Sequence, residues 1–157
     1  MIIFLAGGIA YIIRYRKLEK KEEKQKDTVL QMQLQAYERL MVLADRIALP
    51  NLINRVNEPG LSAREMQMVL TQNIRTEFEY NITQQIYVSA DAWNAIKNLK
   101  EQNLLIINQF ANSQPPDATG LDLNKLLLQF LMNDKKGTLH EMVSEALSYE
   151  AKKLMAP

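Results

Sequence analysis

The chain has no cysteine, one histidine and one tryptophan among 157 residues, with only five glycines and five prolines. Without cysteine there are no disulfides, thiolate metal sites or thiol nucleophiles. A lone histidine, His140 in the run LHEMVS, lacks the second histidine that a zinc helix of the H-E-x-x-H kind needs four residues on. Sparse glycine and proline leave few places where a helix must break. No Gly-rich phosphate loop, tandem repeat or β alternation occurs.

What is present is ordinary for a packed domain: 47% hydrophobic and 24% charged residues, dominated by helix formers. The length suits one domain plus an appendage. The expected fold class is all-α: an N-terminal membrane helix running through a basic stalk into a compact bundle of about five helices.

Residues 1–13, MIIFLAGGIAYII, carry no charge, and Arg14, Arg16 and Lys17 follow at once. Such a boundary is that of a membrane anchor, with Ile2, Ile3, Phe4, Leu5, Ile9, Tyr11, Ile12 and Ile13 in the lipid. Thirteen helical residues span about 20 Å, against about 30 Å of hydrocarbon, so the expectation includes apolar residues missing upstream of Met1. A signal peptide would put its charge before the apolar run and a small-residue cleavage site after it, the reverse of this order. A buried core helix is the other alternative, against which the charge run argues. The positive-inside rule gives a single-pass protein of the inner (cytoplasmic) membrane with its bulk in the cytoplasm.

Residues 14–28 form a charged helical stalk. Positions 14–26 hold seven Lys or Arg against three Glu, although the chain as a whole is only +1. Arg14, Arg16, Lys17, Lys20, Lys21 and Lys24 are candidates for contact with anionic lipid; a plain solvated helix explains them equally well. Nucleic acid is disfavoured as a partner, because the basic cluster is mixed with glutamate and lacks interleaved aromatics.

Residues 29–157 read as the bundle. Two apolar rows, Leu30, Leu34, Tyr37, Met41, Ala44, Ala48 and Val29, Met32, Ala36, Leu40, Leu43, Ile47, make a stripe wider than a dimeric coiled-coil seam. Pro50 ends this helix and can open the next. Ser62 and Glu65 form a capping box for a third helix, whose apolar residues recur every four from Met66 through Ile86. Ser89 caps a fourth, which carries Trp93. The run LLLQFLM, 126–132, is apolar almost all round and is expected at the bundle's centre. A last helix starts at Thr138 and Glu141, with Met142, Ala146 and Tyr149 inward.

The words LQAYERLMVLADRIALPNLINRV (34–56) and IRTEFEYNITQQIYVSADAW (74–93) resemble the shared blocks of an uncharacterised family of small, N-terminally membrane-anchored bacterial proteins of Bacteroidota. The resemblance implies an apolar N-terminal helix, usually longer than the 13 residues here, and supplies no activity or catalytic residue. Ala44 and Asp45 replace a Leu-Glu type pair.

No set of residues meets the requirement of nucleophile, base and orienter, so an enzyme is not expected, and no cofactor or metal is called for. The expected function is an accessory or scaffold subunit binding a membrane protein or complex; a module sensing anionic membrane lipid is the alternative, and a homo-oligomer is open. Tyr37, Glu38, Arg39, Tyr87 and Trp93 are the candidate interaction residues, with a buried, hydrogen-bonded structural role as the competing account of Tyr37.

Overall fold

A computed structural model describes residues 2–133 and 139–156, with side chains from Arg14 onward. Among the described residues are six α-helices, one 3-10 turn and no strand: α1 (Ile2–Ile47), α2 (Leu49–Val56), α3 (Ala63–Tyr80), a 3-10 turn (Ile82–Ile86), α4 (Ala90–Asn112), α5 (Gly120–Asn133) and α6 (Leu139–Met155). The all-α expectation holds. The segments expected as anchor, stalk and first bundle helix are one continuous helix of 46 residues, about 69 Å long.

Among the described side chains of α1, those of the last third are folded against the rest. From Arg14 to Val29 every residue is exposed, whereas Ala36, Tyr37, Leu40, Leu43, Ala44 and Ile47 are buried. α6 packs along this buried stretch, and α3 packs on α4 and α5. Val29 and Met32, assigned to the stripe from sequence, remain exposed because they lie beyond the domain that covers its continuation.

The single-pass inner-membrane expectation is overturned: no helix among the described residues is long and apolar enough to cross a membrane. The apolar run stops after 13 residues and the same helix continues into Arg14, Arg16 and Lys17, each costly to bury in hydrocarbon. The side chains of the expected anchor residues Ile2, Ile3, Phe4, Leu5, Ile9, Tyr11, Ile12 and Ile13 lie outside the described residues.

Helix boundaries follow local chemistry. α1 ends where Ala48 adopts an extended backbone and Pro50 occupies the first turn of α2, a position where its missing N–H costs nothing. The buried Asn103 amide of α4 donates to the Ile47 carbonyl at 2.7 Å, satisfying one of α1's terminal acceptors. Ser62 and Glu65 make the expected capping box. The start of α5 has its counterpart: Thr119 Oγ1 accepts from the Asp122 N–H at 3.2 Å and the Asp122 carboxylate accepts from the Thr119 N–H at 3.0 Å. These two starts lie side by side, joined by Ala63 N–H to Ala118 O at 2.9 Å and Gly120 N–H to Leu61 O at 2.7 Å. A Cβ on Gly120 would lie 3.0 Å from Met66 Cβ, so glycine is what allows this approach.

Three packing expectations fail. Ile82 and Ile86 are exposed, because α3 stops at Tyr80 and a 3-10 turn changes the period. In α5 Leu123 and Leu127 are buried while Leu121, Phe130 and Met132 are exposed, so this helix covers one side of the core rather than filling its centre. In α6 the inward residues are Val143 and Leu147; Met142, Ala146 and Tyr149 face outward. Thr138 lies outside the described residues.

Candidate interaction surfaces

Tyr37 sits in the buried stripe of α1 with its hydroxyl pointing at the start of α4. That hydroxyl donates to Glu150 Oε2 at 2.6 Å and accepts the Ser89 N–H at 3.1 Å. Ser89 Oγ accepts from the Ala92 N–H at 3.0 Å, as an N-cap should, and itself donates to the same Glu150 oxygen. Three helices are thereby tied at one point: α1 by Tyr37, α4 by Ser89, α6 by Glu150. Burial pushes the Tyr37 hydroxyl above the usual tyrosine range, its bond to Glu150 adds to the rise, and the Ser89 N–H opposes it.

Around this knot lies an open cleft of about 710 Å³ between α1, the turn before α4, and α6. Tyr37 and Ser89 line it together with Ile86, Tyr87, Tyr149 and Glu150. Ile86 and Tyr149 are 71% and 70% exposed, and Tyr87 39%. A rigid polar floor with apolar and aromatic walls results. Two of the five candidates, Tyr37 and Tyr87, meet here.

Glu38 and Arg39 point the other way. They line a second cleft of about 630 Å³ on the opposite flank of α1, with Val42, Arg46, Glu77 and Tyr80. The Arg39 guanidinium lies over the Tyr80 ring, 5.7 Å from its centroid. Arg46 donates through Nε to Glu77 Oε1 at 2.8 Å and through a second nitrogen to the same oxygen, with Arg55 3.6 Å away. Glu77's bonds and charge hold Arg46 above its usual range.

Trp93 belongs to neither surface. It is buried, its ring 5.1 Å from that of Phe78, and Lys100 Nζ lies over the Phe78 ring at 4.3 Å from its centroid. Burial makes Trp93 part of the core. The stalk residues Arg14, Arg16, Lys17, Lys20, Lys21 and Lys24 are all exposed on α1.

Sequence reasoning missed Glu150 and Ser89 as partners of Tyr37, because contacts across 113 and 52 positions leave no local signal. The Thr119–Asp122 cap was available in the run TGLD, a T-x-x-D spacing. Among the described residues no group of three His, Cys, Asp or Glu could hold a metal ion.

A family model described as a family of unknown function (DUF7935) matches residues 2–154. The chain belongs to this family. No curated protein and no solved structure matches it. Membership accords with a resemblance to an uncharacterised family.

Proposed function

We propose that this protein is a non-enzymatic accessory or scaffold subunit that holds a protein partner on the Tyr37–Tyr87–Tyr149 cleft. What carries the reading is the gathering of exposed Ile86, Tyr87 and Tyr149 around a floor that is already hydrogen-bonded and fixed. Contiguous exposed apolar side chains mark interaction sites on folded proteins, and tyrosine is enriched at the centres of interfaces. A preorganised floor lowers the cost of ordering on association. Its placement among Bacteroidota proteins belongs to this reading as well.

A photo-cross-linking residue in place of Tyr149 tests it in the native cell. The expected result is a discrete product of fixed mass, absent when Ile86→Asp is added. The same product from a probe at exposed Met68 on α3, or no product at all, contradicts the reading.

A second reading rests on the exposed basic run of α1. Seven Lys or Arg between positions 14 and 26 can attract anionic lipid at about 1 kcal/mol each near a surface. Flotation with phosphatidylglycerol vesicles, lost in a variant with Lys20, Lys21 and Lys24 changed to Gln, supports it; no flotation at low salt removes it.

A further inference from the structure

The projecting part of α1 has a feature that the cleft does not explain. Among its described side chains the large exposed apolar ones, Tyr15 (54%), Leu18 (54%), Val29 (49%) and Met32 (45%), fall on one seam. With Glu22 and Gln25 between them the positions 15, 18, 22, 25, 29 and 32 alternate spacings of three and four, the repeat of a helix face that packs on another helix. The same face carries a shallow groove of about 370 Å³ lined in part by Glu22, Gln25 and Val29.

We infer that two copies of the chain pair antiparallel along this seam. The occupant is argued from self-complementarity. When the two helices are set so that facing positions sum to 47, Tyr15 meets Met32 of the second copy, Leu18 meets Val29, and Glu22 meets Gln25. The three equivalent layers follow by the two-fold axis. Every apolar residue then faces an apolar one, and the central carboxylate faces an amide that can donate to it. Beside the seam Glu19 of each copy approaches Lys26 of the other, an attractive pair made twice.

The parallel arrangement fails on the same sequence. It sets Glu22 against Glu22 at the centre and Lys21 beside Lys26 at the edge, two repulsive contacts against the single attractive edge pair of Arg14 with Glu19. The seam ends at Met32, because its next two positions are Ala36, buried by the chain's own domain, and Arg39, a charged side chain.

Because the chain contains no cysteine, single-cysteine variants report the pairing without background. Disulfides form only where Cα atoms come within about 7 Å. Mild oxidation of L18C mixed with V29C is expected to give the mixed dimer, whereas L18C alone is not expected to link to itself. Sedimentation should show a concentration-dependent dimer that weakens in Glu19→Lys and in Lys26→Glu and recovers when both changes are made. Circular dichroism on the same variants verifies that the helix is intact. Self-linking of L18C, a charge double variant that stays weakened, or a monomer at every concentration with no cross-link would each overturn the inference. So would a monomer that binds phosphatidylglycerol vesicles through Leu18 and Val29. These residues lie outside the Tyr87–Tyr149 cleft, so failure here leaves the cleft reading standing.

Discussion

Replacing Tyr37 with Phe removes one oxygen from the point where α1, α4 and α6 meet. The lost hydroxyl donates to a carboxylate at 2.6 Å and accepts the Ser89 N–H at 3.1 Å. A bond to a charged group contributes about 1.5–3 kcal/mol, and a neutral one about 1 kcal/mol. Ser89 is exposed and its N–H recovers some hydration, and Glu150 keeps its bond from Ser89 Oγ. The expected loss is therefore about 2 kcal/mol, roughly 5–10 °C in Tm for a domain of this size. Urea unfolding should show an earlier midpoint with an unchanged slope. A cycle with Glu150→Gln should return a coupling of about 1–2 kcal/mol. A loss below about 0.5 kcal/mol, or additivity of the two changes, would refute the knot as a stabilising unit. The variant also has a pH signature. Because the Tyr37 hydroxyl titrates higher when folded, its contribution is fully present below the ordinary tyrosine value near pH 10 and is lost as pH rises through the folded value. Wild type should lose part of its stability in that alkaline window, and Tyr37→Phe should lack that part.

Other sites give sharper contrasts. Gly120→Ala places a Cβ 3.0 Å from Met66 Cβ and 3.2 Å from Leu61 O, neither able to swing away, so urea unfolding should show a loss of about 1–3 kcal/mol. Asn103→Leu leaves the Ile47 carbonyl without its 2.7 Å donor in the buried interior and should cost about 1–3 kcal/mol by the same assay. The Glu65 and Asp122 carboxylates are held below their usual ranges by the cap bonds from Ser62 and Thr119. Their contribution is present above the unfolded carboxylate values near pH 4 and is lost as pH falls through the lower folded ones, so Glu65→Gln with Asp122→Asn should flatten the acid limb of a Tm-versus-pH curve. Trp93→Ala should cost about 3–5 kcal/mol as a core deletion, whereas Tyr149→Asp, on an exposed position, should shift stability by less than about 0.5 kcal/mol.

Features with a local signature were legible in the sequence. The Ser62–Glu65 box, the Ser89 cap and the break at Pro50 each need only neighbouring residues, and each occurs in the structure. The Met66, Leu70, Ile74 and Phe78 row was legible for the same reason, and all four are buried. What failed depended on the environment. Apolarity alone could not say that Phe130 and Met132 would stay outside, because α5 presents only one face to α3 and α4. Tyr149 and Met142 were placed inward by a spacing one residue out of phase with Val143 and Leu147. The 13-residue apolar run suggested a membrane span, but continuity with the basic stretch in one helix leaves no helix among the described residues apolar enough to cross. Of the candidate site, Tyr37 and Tyr87 share a cleft because the chain folds back through α6; Glu38 and Arg39, adjacent in sequence to Tyr37, face away because successive helical residues point about 100° apart.

The most direct test of the interaction reading is to capture the tagged full-length protein from its own cells in mild detergent, as wild type and as Ile86→Asp with Tyr149→Asp. The account predicts one discrete partner in stoichiometric amount with wild type and its loss in a variant that unfolds at the same urea midpoint. Recovery of wild type without any other protein, or retention of the partner by the variant, would contradict it.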